Sequence, residues 1–442
     1  MIKWERMFSY IFIFNFSLFI FNFSVIWAEE KAEREYTLKQ AIDSALRNNP
    51  FILSKQRDIS IAEQQIREAV AMFLPTLDFG VHYTFLNINK PLVLPLQLGG
   101  ATLEPEKAQY YAGSFSFYQP IYSGGRLPAV KKQAEISFTK AKASYEQSKN
   151  EVIAEVKNKF YVLLLNQQLI DFLKREIEEG EHRELEEIDL SRQKIWLNQL
   201  KCLLAEKQQR LKVTQTEFNR TIGIDLSVSV KVDGQLVFNP QEIDLQKSYA
   251  WGAECRPELL LAQAEQEVDM VALNLALLQK YPSISLGGSY ERSGSEFPWN
   301  FRKWFQEMGE NWTATVAFTL PIFRGGAGGP RVRQHRQRLE KARYEKSYLA
   351  TRIQEEIKKA YLEYFSASKR KELQAENLQL ARERMQQMIT LYGKGERSFL
   401  EFLDAEEIFV QTNLEYLTNI CRCLVAKTEL ERATGKEISN EE

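Results

Sequence analysis

Phe115-Ser-Phe-Tyr-Gln-Pro-Ile-Tyr-Ser-Gly-Gly-Arg126 returns later in the chain as Val316-Ala-Phe-Thr-Leu-Pro-Ile-Phe-Arg-Gly-Gly-Ala327. Each copy alternates like a strand, steps through Pro-Ile-aromatic, and turns at a glycine pair into a long helical pattern. The corner residues are Pro120, Gly124 and Gly125 in the first copy and Pro321, Gly325 and Gly326 in the second. Upstream, Phe73-Leu-Pro-Thr-Leu-Asp-Phe-Gly-Val-His-Tyr83 matches Lys280-Tyr-Pro-Ser-Ile-Ser-Leu-Gly-Gly-Ser-Tyr290. The chain therefore repeats a helix–strand–strand–long helix unit, over residues 29–235 and 236–442.

Strands are expected over about 77–87, 110–120, 283–291 and 312–321, because apolar and polar residues alternate there with period two. Trp312, Ala314, Val316, Phe318 and Leu320 share one face; Thr313, Thr315, Ala317 and Thr319 share the other. A Pro-, Gly- and Leu-rich connection joins the first two strands, and a loop with Trp299, Trp304 and Phe305 joins the second two. Long helices are expected over about 127–180 and 330–392. At 1.5 Å per residue they reach about 75–80 Å and about 95 Å. Leu339, Ala342, Leu349, Ile353, Ile357, Ala360, Tyr364 and Ala367 form a narrow seam of coiled-coil spacing. Such a helix cannot bury its seam alone and needs neighbours alongside.

Shorter helices fill the rest. Thr37-Leu-Lys-Gln40 is a capping-box signature opening one helix, and Pro50 starts the next, to about Met72. A helix over about 188–221 ends at Gly223, and a short alternating piece follows at Val228-Ser-Val-Lys-Val-Asp233. Helices near 245–253, 257–280 and 398–433 complete the second unit.

The chain has 442 residues and a net charge of −1, which gives no reason to expect nucleic acid as a partner. Lys3 and Arg6 precede an apolar run to Ala28, after which charge resumes at Glu29. Residues 1–28 read as a secretory signal peptide cleaved after Ala28. The run is also long enough to remain as an uncleaved anchor. Four scattered cysteines, Cys202, Cys255, Cys421 and Cys423, exclude a dense disulfide framework and are expected as buried free thiols. His82, His182 and His335 lack metal-ligand spacing, and Gly325-Gly-Ala-Gly-Gly329 lacks the Lys-Ser/Thr of a phosphate loop. No catalytic, metal or cofactor residues are expected.

Each strand has the length and two-faced pattern of a membrane-crossing strand. An open sheet cannot sit in lipid, and membrane barrels need at least eight strands, so other copies would have to complete it. A two-layer sheet packed on helices, outside any membrane, fits the alternation as well.

With these corners, this layout and Tyr392-Gly-Lys-Gly-Glu-Arg-Ser-Phe-Leu-Glu-Phe-Leu-Asp-Ala405, the chain resembles the TolC family of outer-membrane efflux proteins over nearly all of residues 36–436. The resemblance implies a mainly α fold with a transmembrane β part: a homotrimer forming a 12-stranded β-barrel continuous with a 12-helix tunnel in the periplasm. It implies export across the outer membrane, with outer-membrane lipid around the barrel and energy from an inner-membrane pump joined by a periplasmic adaptor, a membrane fusion protein. Drug efflux, metal efflux and type I protein secretion share such a component; a non-conducting long-helix envelope scaffold is the rival of another class. The resemblance also assigns a tip. Glu401 and Asp404 match its acidic pore constriction, Gly393 and Gly395 its turn, and Tyr392, Arg397 and Asp189 its gate. The first tip departs from the pattern, with Arg183 where Gly395 sits in the second.

Overall fold

The structure, a computed structural model, describes residues 34–87, 92–93, 102–103, 107–183, 187–295 and 308–438. The expected signal peptide, and the loop holding Trp299, Trp304 and Phe305, lie outside the described residues.

The first unit opens with β1 (Arg34–Tyr36), α1 (Leu38–Asn48) and α2 (Pro50–Ala71). Thr37 and Gln40 form the anticipated capping box, and Asn49 caps α2 ahead of Pro50. Next come β2 (Thr76–Asn87), a minimal hairpin of β3 (Leu92–Val93) and β4 (Thr102–Leu103), and β5 (Lys107–Tyr122). Helices α3 (Arg126–Glu181) and α4 (Glu187–Ile222) follow, then β6 (Val230–Val232). The second unit runs α5 (Leu245–Cys255), α6 (Pro257–Leu278), β7 (Ser283–Gly294), β8 (Gly309–Thr319), α7 (Gly328–Gly393) and α8 (Phe399–Thr434). At 66 residues, α7 spans about 100 Å.

The duplication extends to single bonds. Asn49 Nδ2 donates to Thr221 O at 2.8 Å, and at the matching place Arg256 Nη1 donates to Ala433 O at 3.0 Å. Gly223 backs onto the Asn48 carbonyl as Gly435 backs onto that of Cys255. In both units a helix start is thus tied to a helix end more than 170 residues away.

One core gathers where the short elements wrap the long helices. Val152, Val156, Phe160 and Leu163 of α3 meet Phe218 and Ile222 of α4, Ile420 and Leu430 of α8, and Val230 and Val232 of β6. The pairing of β6 with β1, in parallel and from the other end of the unit, was not anticipated. In the α7 seam Leu339, Ala342, Ile353, Ile357, Tyr364 and Ala367 are buried as expected. The thiols divide. Cys421 and Cys423 are buried and free, and burial pushes them up to about 12 and about 11. Cys202 and Cys255 are exposed, against expectation.

The four principal strands form one antiparallel sheet in the order β2-β5-β7-β8. The second strand is longer than expected: β5 carries on through Pro120 to Tyr122, with a register shift between those two residues. A proline is tolerated there because an irregular step needs no amide from it. Among the described residues, the outer edges of β2 and β8 have no partner strand.

Ile357, fully buried in the middle of α7, gives a test of helix continuity. Ile357→Pro should cost about 3 kcal/mol or more and lower the thermal midpoint followed by far-UV circular dichroism. An unchanged midpoint would mean that α7 is not one helix there.

Candidate functional site

The sheet has two unlike faces. On one, Leu77, Phe79 and Tyr83 of β2 stand opposite Phe117, Phe115 and Tyr111 of β5. The Phe79–Phe115 and Tyr83–Tyr111 ring centroids are 4.7 and 4.9 Å apart. The same face continues through Ile284–Phe318, Leu286–Val316 and Tyr290–Trp312. Leu77, Trp312 and Val316 are 78%, 75% and 75% exposed, so among the described residues this apolar face has no cover. Asp78, His82, Ser114, Ser116, Glu291 and Thr313 lie on the other face, following the alternation. Near the hairpin end of the apolar face Arg292 Nη2 lies 2.9 Å from Glu310 Oε2, and its Nε donates to Tyr290 Oη at 2.7 Å. Pairing lowers the cost of placing these charges beside apolar residues.

The glycine pairs turn the strands into the long helices. Gly124 and Gly125 have φ of 65° and 81°, and Gly325 and Gly326 have 61° and 74°, values that side-chain-bearing residues rarely adopt. The first corner is also crowded: a Cβ on Gly124 would lie 2.8 Å from Pro282 O.

At the far end, α7 stops in a Schellman turn. Gly395, with φ of 75°, donates to Tyr392 O at 2.9 Å, and Glu396 N donates to Leu391 O at 3.0 Å. Gly393 is the last residue of α7. Ser398 then opens α8, with Glu401 completing a capping box. Tyr392, Phe399 and Phe402 pack together, with centroid separations of 5.2 to 6.0 Å.

The two candidate constriction acids are both engaged. Glu401 accepts from Ser398 N and Ser398 Oγ at 3.0 Å each and from Arg397 Nη1 at 2.8 Å. These bonds hold its carboxyl below the usual carboxylate range. Asp404 accepts from Arg384 Nη2 at 2.6 Å. Of the three gate candidates, Tyr392 and Arg397 sit in this turn, while Asp189 lies in the first turn of α4. Among the described residues of the chain no hydrogen bond joins Arg397 to Asp189; the guanidinium goes to Glu401, four residues on.

The strongest link between the two tips is one that sequence reading missed. Arg183, in the position of Gly395, donates from Nη1 and Nη2 to Glu406 Oε2 and Oε1 at 2.6 and 2.8 Å. Its guanidinium carbon lies 4.7 Å from the centre of the Phe402 ring. Glu406 is 1% exposed, so this two-bond pair is shielded from water, unlike Arg397–Glu401. Gln193 Nε2 donates to Gly180 O, and Lys201 pairs with Glu181 at 2.6 Å, holding α4 against the end of α3. Glu176 lies near this cluster. Burial pushes its carboxyl up to about 7, helped by the charges of Glu179 and Glu406 and opposed by Arg183. The departure at Arg183 was visible in the sequence, but no spacing pointed to Glu406.

No group of metal-ligating side chains occurs among the described residues, nor any helix long and apolar enough to cross a membrane.

A family model described as "Outer membrane efflux protein" matches residues 41–183 and 253–436. No curated protein matches the chain in sequence. Several solved structures have similar folds. The Campylobacter jejuni CmeC outer membrane channel has a TM-score of 0.76 at 16% identity, covering 92% of this chain and 87% of its own. The Neisseria gonorrhoeae MtrE outer membrane channel in its open state has 0.75 at 15%, covering 90% and 89%. A membrane protein from Pseudomonas aeruginosa has 0.75 at 18%, covering 90% of each chain.

Glu406→Ala strands Arg183 in a half-buried place and should destabilise the tip by about 3 kcal/mol. Hydrogen exchange should then speed up at the end of α3 and the start of α8 but not at the sheet; unchanged exchange at the tip would remove the pair from its support. The raised carboxyl of Glu176 sets a pH dependence. A carboxyl that protonates more readily folded than unfolded stabilises the fold fully below its unfolded value of 4.5 and loses that contribution as pH rises to about 7. Tip stability should fall across that window, and Glu176→Gln should flatten the fall. An equal slope in the variant would exclude Glu176 as its source.

Proposed function

Since this chain belongs to the outer membrane efflux protein family, we propose that it is the outer-membrane channel of a tripartite export system. The observation that carries this reading is the four-stranded sheet with one exposed apolar face, one polar face and two unpaired edges. An isolated sheet of this kind is unsuited both to water, where the apolar face is exposed, and to lipid, where the edge amides have no partner.

Closure by further copies removes both difficulties. Strand directions alternate, so β8 of one copy runs antiparallel to β2 of the next, and the seam has the same character as the rest. Three copies make a twelve-stranded barrel, above the minimum of eight. The apolar face then meets outer-membrane lipid and the polar face lines a water-filled lumen. The long helices α3 and α7, each leaving a strand through a glycine corner, continue the lumen into the periplasm together with the helices packed beside them, as a twelve-helix tunnel. Export through it is passive. A periplasmic adaptor and an inner-membrane pump supply the coupling to energy, and the substrate is chosen mainly at the pump.

The tip controls passage. Glu401 and Asp404, three residues apart on α8, share a helix face, and three copies place six carboxylates round the narrow end, favouring cations. Arg397 and Arg384 each neutralise one of these acids in the single chain. In a closed tip, Arg397 and Tyr392 would turn to Asp189, and releasing those bonds would let the helices part.

The test is the native mass of the detergent-extracted protein together with its conductance in planar bilayers. Three times the chain mass and a cation-selective conductance are expected. Glu401→Gln with Asp404→Asn should reduce the selectivity and leave the mass unchanged, since glutamine still completes the Ser398 capping box. A monomer, or a trimer that conducts nothing, would return the scaffold reading.

A further inference from the structure

We propose that the second strand-to-helix corner holds the phosphate headgroup of an anionic phospholipid, in a basic groove whose charge the first corner lacks. This rests on the reading of the sheet as membrane-embedded and adds a lipid site at its rim.

The two corners match in layout but differ in charge. Residues 123–137 carry Arg126, Lys131, Lys132 and Glu135, and both lysines reach that glutamate, at 3.7 and 4.0 Å. The matching residues 324–338 carry Arg324, Arg331, Arg333, Arg336 and Arg338 and no acid. Arg331 Nη1 donates to the neutral amide oxygen of Gln279 at 2.8 Å. Among the described residues, Arg324, Arg333, Arg336 and Arg338 have no ion-pair partner. Like charges on one helix face, as on Arg333 and Arg336, repel. The cluster therefore costs stability until an anion joins it.

The start of α7 has the same need. At the first corner the chain supplies its own acceptor: Ser123 Oγ accepts from Leu127 N at 3.0 Å. Arg324 occupies the place of Ser123, three residues after its proline, and a guanidinium cannot accept a hydrogen bond. Among the described residues no side chain caps the first amides of α7. A Cβ on Gly325, Gly326 or Gly328 would meet nothing within 4 Å, so a ligand can approach the backbone there. A phosphate oxygen would take the acceptor role that Ser123 fills in the first unit.

These features share one concavity. Between the end of α6 and the start of α7 lies a groove of about 700 Å³. Lys280, Arg324, Arg331, Arg333 and Arg336 line it, with no aspartate or glutamate. Ile322 and Phe323, 92% and 82% exposed, form part of its wall. Ile322 stands two residues beyond Leu320, at the end of the exposed apolar row of β8 that holds Val316 and Phe318. Five cations thus sit where an apolar track runs onto the apolar face of the sheet. A free anion would use only the cations, and a neutral lipid only the track. An anionic phospholipid uses both: guanidinium forks grip its phosphate oxygens, and an acyl chain covers Ile322 and Phe318.

Full-length, detergent-extracted protein in neutral micelles is titrated with phosphatidylglycerol, phosphatidylcholine or inorganic phosphate. The thermal midpoint is read for each and, for the lipids, the phosphorus retained per chain after gel filtration. Native mass and planar-bilayer conductance are measured on the same preparations. Phosphatidylglycerol should be retained and raise the midpoint; the other two should do neither at equal concentration. Arg324→Gln with Arg333→Gln and Arg336→Gln should weaken retention about a hundredfold, at about fivefold per cation near a lipid surface. Lys131→Gln with Lys132→Gln, at the first corner, should leave it unchanged. Arg324→Ser, which restores the first corner's acceptor, should raise the lipid-free midpoint and shrink the gain from phosphatidylglycerol. An equal response to phosphatidylcholine or to inorganic phosphate would overturn the lipid site. So would full retention by the triple variant, an equal loss in the lysine variant, or an undiminished gain in Arg324→Ser. If mass and conductance are those of a trimeric channel, the channel reading survives any of these. A monomeric protein that conducts nothing would overturn both.

Discussion

Each backbone amide and carbonyl along the outer edges of β2 and β8 needs a hydrogen-bond partner, and the described chain holds none for them. In water such an edge is a liability, and in lipid it is prohibitive. The other features of the upper half follow from that constraint. The sheet has an even number of strands, all antiparallel, so its two edges run in opposite directions and can pair with copies of each other. The alternation makes one face of the sheet apolar and the other polar, and a one-residue slip in any pairing would mix the two. The glycine corners aim the helices away from the sheet, where their own seams are buried by neighbours.

Below the sheet the two units are held by unlike means. At the waist they share a pattern: a polar side chain at the start of a helix bonds a carbonyl at the end of another, Asn49 to Thr221 and Arg256 to Ala433. At the tip the pattern breaks. The second unit turns on Gly395, which accepts a left-handed backbone without cost. The first has Arg183 there, and its side chain crosses to Glu406 in the other unit. A turn residue has been exchanged for a tie between the two halves. Beside that tie lies the carboxyl of Glu176, raised to about 7 chiefly by burial.

Much of the fold was legible because it is periodic. The strand alternation, the seam from Leu339 to Ala367, the capping box at Thr37 and the proline at Pro50 act over a few residues, and the structure places elements there within a few positions. The strand ends differ by two or three residues: β7 runs on to Gly294, β8 starts at Gly309, and β5 continues through Pro120 to Tyr122, where a register shift absorbs the proline. The tip was legible in part. Gly395 and Ser398 announce their turn and cap locally. That Arg397 serves Glu401 rather than Asp189 within the chain was not apparent from motif matching, although the four-residue spacing favours it.

By itself the sequence determined the duplication, the kinds of element and the two-faced character of the strands, since each depends on residue type and short-range spacing. The tertiary structure alone decided the pairing of β1 with β6, the exposure of Cys202 and Cys255, and the bond from Arg183 to Glu406. Those partners are far apart in the chain, 223 residues for the last pair, and no local preference encodes which distant side chain a folded helix will meet. That choice depends on how the long helices lie against one another, and so on packing that only the assembled core defines.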